Sequence, residues 1–192
     1  MKKSVLTFGL LSGAVSSAMM LLTLPFLDRI GFEYGEVLGY TSIVASFLLV
    51  FFGVRSYRDN VAGGTLTFGR AFTVGLLITL ISCACYVVTW QLIYFKVAPD
   101  FLDKYAAYRL DRARADGATP DALEQIARQM ESFKQIYDQP LKNAAITFLE
   151  PLPIGLLVTL MTAAVLRLRG SSQSRPSHPP GPPAGTSRGP SA

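Results

Sequence analysis

Four long apolar stretches decide the solvent in which this chain folds. Ser4–Leu27, Val37–Val54 and Ala71–Phe95 carry no charged residue over 24, 18 and 25 positions, and Ala144–Leu166 carries one, Glu150. Crossing ~30 Å of hydrocarbon takes about 20 apolar residues at ~1.5 Å each, so every stretch is long enough. Inside lipid a backbone must close its hydrogen bonds within itself or its neighbours. The expected fold class is therefore all-α: a polytopic membrane protein of four transmembrane helices, spanning about 4–27, 37–54, 71–95 and 144–166. Lys2–Lys3, the apolar run and Ser16–Ala18 have the look of a cleaved leader. The run continues to Leu27, too long for a leader's apolar core, and reads as a retained first span.

The net charge of +5 suggests an acidic partner until it is divided by position. Lys2, Lys3, Arg55, Arg58, Arg70, Arg167 and Arg169 flank the spans on one side, with Asp59 the lone acid there before the tail. On the other side lie Arg29 and the mixed-charge segment 96–143. Basic residues in short loops stay in the cytoplasm, which places both termini inside and 96–143 outside, in the periplasm of a bacterial inner membrane. The bases then read as topology determinants, and nucleic acid is not an expected partner.

Segment 96–143 reads as an extracytoplasmic helical hairpin between the third and fourth spans. Pro99 opens the first helix, Gly117 stops it, and Thr119–Pro120 supplies an N-cap with proline at the first helical position. Leu123, Ile126, Met130, Phe133 and Tyr137 recur at three and four residues, an apolar seam, with Phe101, Tyr105 and Tyr108 as a matching face. Asp28–Glu36 reads as a short acidic loop and Arg55–Arg70 as a basic one turning at Gly63–Gly64. Residues 1–169 thus form one membrane domain. Residues 170–192, rich in Pro, Ser, Gly and Arg, form a disordered cytoplasmic tail. Small residues recur every fourth position: Gly9, Gly13 and Ser17; Ala71, Gly75, Thr79 and Cys83; Gly155, Thr159 and Ala163. Such stripes allow close helix crossings, within the chain or with a second copy.

Classical catalytic sets are missing. The sole histidine, His178, lies in the tail. Cys83 and Cys85, two apart on a helix, point to opposite faces and cannot pair or hold a metal together. No catalytic residue, metal or cofactor is expected, and the chain reads as a non-enzyme. The remaining candidates are Glu36 and Glu150, with Pro151, Pro153 and Tyr40 beside them. Two readings stand. In one, both glutamates face an outward-opening cavity and bind a cation or proton, with carbonyls freed by the prolines lining it. In the other, they stabilise helix starts at the outer face, paired with Lys96, Lys142 or Arg29. Trp90, Tyr94 and Tyr40 suit an outer aromatic belt, and Gln91 suits a bond to a neighbouring helix.

Five motifs in order carry a resemblance: Gly35–Glu36–Val37–Leu38–Gly39–Tyr40; Phe51–Phe52–Gly53–Val54–Arg55–Ser56–Tyr57–Arg58–Asp59; Phe68–Gly69–Arg70–Ala71–Phe72 with Gly75–Leu76–Leu77–Ile78–Thr79; Ala98–Pro99–Asp100–Phe101; and Phe148–Leu149–Glu150–Pro151–Leu152–Pro153–Ile154–Gly155. Over about residues 1–169 the chain resembles the bacterial four-span membrane family known as domain of unknown function 4199. The resemblance implies an inner-membrane protein with a helical insertion before its last span, and implies no activity. The leading functional expectation is an accessory or scaffold protein that contacts lipid, a second copy or a membrane-protein partner through its hairpin and stripes. The alternative is a small oligomeric transporter or ion-coupled carrier using Glu36 and Glu150.

Overall fold

The structure, a computed structural model, describes residues 2–171, and every regular element among them is helical. Helix α1 (Lys2–Thr23) passes through a tight turn, Leu24–Phe26, into α2 (Leu27–Asn60). Helix α3 (Phe68–Leu92) ends in a π-helical turn, Ile93–Val97. A helix pair follows, α4 (Phe101–Ala115) and α5 (Pro120–Tyr137), then α6 (Pro140–Leu149) and α7 (Leu152–Ser171). Four segments are long and apolar enough to cross a membrane: Lys2–Phe26, Arg29–Asn60, Phe68–Val97 and Pro140–Arg167. The tail expected over 170–192, His178 included, lies outside the described residues except for Gly170 and Ser171, which end α7.

The expected loop Arg55–Arg70 is helical through Asn60 and again from Phe68, and two further departures from the sequence reading bear on the glutamates. The expected loop Asp28–Glu36 is almost entirely helix, broken only where Gly31 takes φ 80° and ψ 156°. That left-handed φ favours a residue without Cβ, so one glycine makes the turn. Glu33, and not Glu36, then falls in the first turn of the helix that follows. The fourth span starts at Pro140 rather than Ala144, because proline at the first helical position needs no N–H partner. Glu150 therefore lies ten helical residues into the span, at the junction of α6 and α7, and not at its start. It keeps helical angles (φ −63°, ψ −58°) although a proline follows. Pro151 and Pro153 have no N–H to offer the carbonyls four residues earlier, those of Thr147 and Leu149, and the helix is interrupted there.

Helix α3 is the centre of the bundle and touches α1, α2, α6 and α7; α2 also packs on α1 and α7. The small-residue stripes make these crossings. A Cβ on Gly13 would lie 2.5 Å from Cys85 Cβ, one on Gly75 2.8 Å from Thr159 Cγ2, and one on Gly155 2.4 Å from Thr79 Cγ2. The stripes are thus used within the chain. At these crossings hydroxyls bond across helices: Thr79 with Thr159 at 3.1 Å, Ser12 with Ser82 at 3.0 Å, and Ser12 to the Ser46 carbonyl at 2.8 Å. The last contact crosses from α1 to α2. Large side chains fill the rest, with Phe47, Val50, Val54, Val74 and Ile78 buried.

The α4–α5 pair folds as its sequence signals. Gly117 (φ 79°) ends α4, with the Ala118 N–H donating to the Ala113 carbonyl at 2.9 Å. The Thr119 hydroxyl accepts from the Ala122 N–H at 3.3 Å to cap α5. Leu123, Ile126, Met130 and Phe133 are half-buried and Tyr137 is buried, so the seam is occupied. Lys134 of α5 and Asp103 of α4 form an ion pair that raises the lysine above its usual range.

The glycine contacts give a paired expectation. Gly155→Ala loses about 1–3 kcal/mol by overpacking α7 against Thr79 and Phe47. Gly39→Ala, where a Cβ meets nothing within 4 Å, loses nothing. Unfolding in mixed micelles measures both, and equal costs would rule out close approach as what holds α3 to α7.

Candidate functional site

At the end of the bundle that carries the α4–α5 pair, α4 lies over the start of α2. Phe32, the first residue after the Gly31 break, meets Phe101, Tyr105 and Tyr108 at ring-centroid distances of 5.7, 5.5 and 5.3 Å. The expected matching face of α4 is therefore shared with α2 and is not spent on α5 alone; the fully buried α4 residue near Tyr137 is Leu102. Polar contacts extend the seam. Arg112 Nη1 donates to Glu33 Oε2 at 2.7 Å and to the Tyr108 hydroxyl at 3.0 Å. Those two partners push the guanidinium further above its usual range, the tyrosine hydroxyl most. The Tyr105 hydroxyl donates to Glu36 Oε1 at 3.2 Å, and Arg109 Nη1 donates to Tyr105 at 3.3 Å.

Beneath α4 is a cavity of about 380 Å³. Its walls come from α1 (Ser16, Met19, Met20), α2 (Glu36, Gly39, Tyr40, Ser42), α3 (Tyr86, Trp90), α4 and α5, with Glu150 from the α6–α7 junction. The sequence candidates Glu36, Tyr40 and Glu150 are thus brought together on one cavity. Tyr40 and Tyr86 line the same cavity as Glu150. Glu150 is exposed. Pro151 is buried against a small void just below, between Ser46, Ser82 and Tyr86. Pro153 is exposed and is not among the cavity walls.

The cations offered as partners do not arrive. Among the described residues neither Glu36 nor Glu150 forms an ion pair with Lys96, Lys142 or Arg29. Among the described residues the cavity walls carry two carboxylates and no basic side chain. Glu33, in the first turn after Gly31, is the glutamate that pairs, with Arg112.

A second polar cluster braces the site from behind. Gln91 Nε2 donates to Asn143 Oδ1 at 3.0 Å and to the Pro140 carbonyl at 3.1 Å, the interhelical bond expected of it. The fully buried Asn143 donates to the Tyr137 carbonyl at 3.1 Å and accepts from Thr147 at 3.3 Å. The Tyr137 and Thr147 hydroxyls are 3.2 Å apart, and burial pushes the Tyr137 phenol up. Trp90 edges onto Phe101 at 5.1 Å and is a wall residue of the cavity. Its indole N–H is shut from solvent near the Tyr137 hydroxyl, without a hydrogen bond of good geometry.

Sequence reasoning passed over Tyr86 and Asn143 and gave Tyr105 only a place on the face matching the α5 seam. Their roles at the cavity depend on which helix covers which.

Fold and site together define a four-span helical membrane protein with an acidic, aromatic cavity under an inserted helix pair. A family model described as protein of unknown function (DUF4199) matches residues 7–167, and the chain belongs to that family. No curated protein and no solved structure matches it.

A carboxylate without a cation in a largely apolar wall is kept at a cost to folding. Glu150→Gln is therefore expected to match or exceed the wild-type melting midpoint in detergent near neutral pH. A midpoint several degrees lower would identify Glu150 as a structural helix-end charge.

Proposed function

We propose that this protein is a non-enzymatic, ligand-binding membrane protein of carrier type, with Glu36 and Glu150 as the charged groups of its binding cavity. The observation that supports this reading is one of placement. Two glutamates far apart in sequence border the same cavity of about 380 Å³, and neither has a basic partner there. That volume falls in the ~300–1,000 Å³ range of small-molecule sites, which are mostly apolar with a few converging polar groups. The cavity's position, at one end of the spans and roofed by a helix pair, suits a site opened and closed from one membrane face.

The orientation belongs to the same proposal. The charge bias of the short loops puts the termini in the cytoplasm of a bacterial inner membrane and the α4–α5 pair, with the cavity, on the periplasmic side. An accessory or scaffold role is the second reading. The features that first suggested it, the α5 seam and the glycine stripes, are engaged inside the chain. A partner would have to use the outer surface of the α4–α5 pair instead.

Gly39 supplies the test, since it lines the cavity and has open space where a side chain would grow. N-phenyl-1-naphthylamine, a neutral aromatic dye, accepts excitation energy from tryptophan, and Trp90 is the only tryptophan. In maltoside micelles the wild type is expected to give a saturable transfer signal at one dye per chain. Gly39→Phe should abolish the saturable part while keeping the melting midpoint. A signal unchanged by Gly39→Phe would sink the binding reading.

A further inference from the structure

We infer that the ligand is an organic cation with an aromatic or otherwise bulky apolar body. This rests on the cavity being a ligand site and names what that site selects. Three observations converge. The first is charge: among the described wall residues Glu36 and Glu150 are acidic and none is basic. An anionic ligand would face two carboxylates and no base. A zwitterionic lipid headgroup would bring a phosphate with no cation to receive it.

The second is the aromatic content of the walls. Eight of the described lining side chains are aromatic, Tyr40, Tyr86, Trp90 and Tyr105 among them, and the Tyr105 hydroxyl donates to Glu36. Ring faces carry negative electrostatic potential and attract a cation within about 6 Å, most strongly where water is excluded. The chain already makes such a contact at its rim, where the Arg109 guanidinium lies 5.9 Å from the Tyr105 ring centre. A cationic ligand would repeat on the inside what Arg109 does on the outside.

The third is size against coordination. A bare metal cation wants about six oxygen ligands closely arranged. No three His, Cys, Asp or Glu side chains come together for one among the described residues. A volume of about 380 Å³ with Met19, Met20 and Ile43 among its walls suits a ligand that covers apolar surface as well as presenting charge. Glu36 is held by one neutral donor, Tyr105, so its charge remains to be matched. Glu150 lies on the same cavity, with no basic side chain among the described wall residues.

Tetraphenylphosphonium and tetraphenylborate have the same shape and opposite charge, so they isolate the charge preference. Each is titrated into purified protein in maltoside micelles, following Trp90 emission and displacement of the bound naphthylamine dye. Tetraphenylphosphonium is expected to displace the dye saturably, and tetraphenylborate is not. Glu150→Gln and Glu36→Gln should each weaken the phosphonium by about tenfold or more while leaving the neutral dye bound. Two variants are used so that one failing to fold leaves the other to decide. Equal displacement by both ions, or phosphonium affinity unchanged in both variants, would overturn the cation assignment while dye binding upheld the cavity. Loss of saturable dye binding in the wild type would overturn both readings.

Discussion

The close passage of α3 between α1 and α7 is the contact on which everything else rests. In lipid, helices gain little from hiding apolar side chains, since the solvent is as apolar as they are. Association depends on contact area and on hydrogen bonds that have no competitor in hydrocarbon. Gly9, Gly13, Gly75 and Gly155 bring backbones close enough for both. Thr79 reaches Thr159 and Ser12 reaches Ser82 only because the helices approach this far. With α3 fixed, Tyr86 and Trp90 are fixed, and one wall of the cavity with them.

The opposite wall depends on α2, and its geometry turns on a single glycine. The break at Gly31, inside α2, starts a new helical run at Phe32. Phe32 then becomes the seat for three rings of α4, and Glu33 and Glu36 follow at the spacing that meets Arg112 and Tyr105. The same helix that carries one carboxylate of the site thus also carries the contacts that hold its roof. Glu36 takes part in both, as a wall of the cavity and as the acceptor for Tyr105. A ligand drawing on the Glu36 charge would compete with a roof contact, which joins occupancy to the position of α4.

The fourth span shows why a proline pair inside a membrane helix is more than a defect. Pro151 and Pro153 withhold two N–H groups, and the helix is interrupted beside Glu150. The interruption leaves Glu150 at the cavity, where an unbroken helix would continue its own ladder. Behind it, Asn143, Thr147, Gln91 and Tyr137 satisfy one another and tie α6 to α3 and α5. The junction is held from the back while its carboxylate looks forward.

Much of this was legible in the chain itself. The apolar stretches gave the four spans because membrane thickness and helix rise leave one solution. The glycine stripes, the Gly117 stop, the Thr119 cap and the α5 seam are local rules, and each took the form its sequence demanded. Glu36 and Glu150 were recognisable as charges out of place. Their meeting was not, for the break at Gly31 and the helical start at Pro140 shift both acids from helix ends to a shared wall. Local periodicity has no term for which helix covers which, so Tyr86, Tyr105 and Asn143 gained their roles only in three dimensions. The sequence determined the solvent, the spans and the facing ends of α4 and α5, since those follow from backbone hydrogen bonding and length. The tertiary structure decided the cavity, because a cavity is the space left between helices, and that space depends on how near each glycine lets its neighbour come.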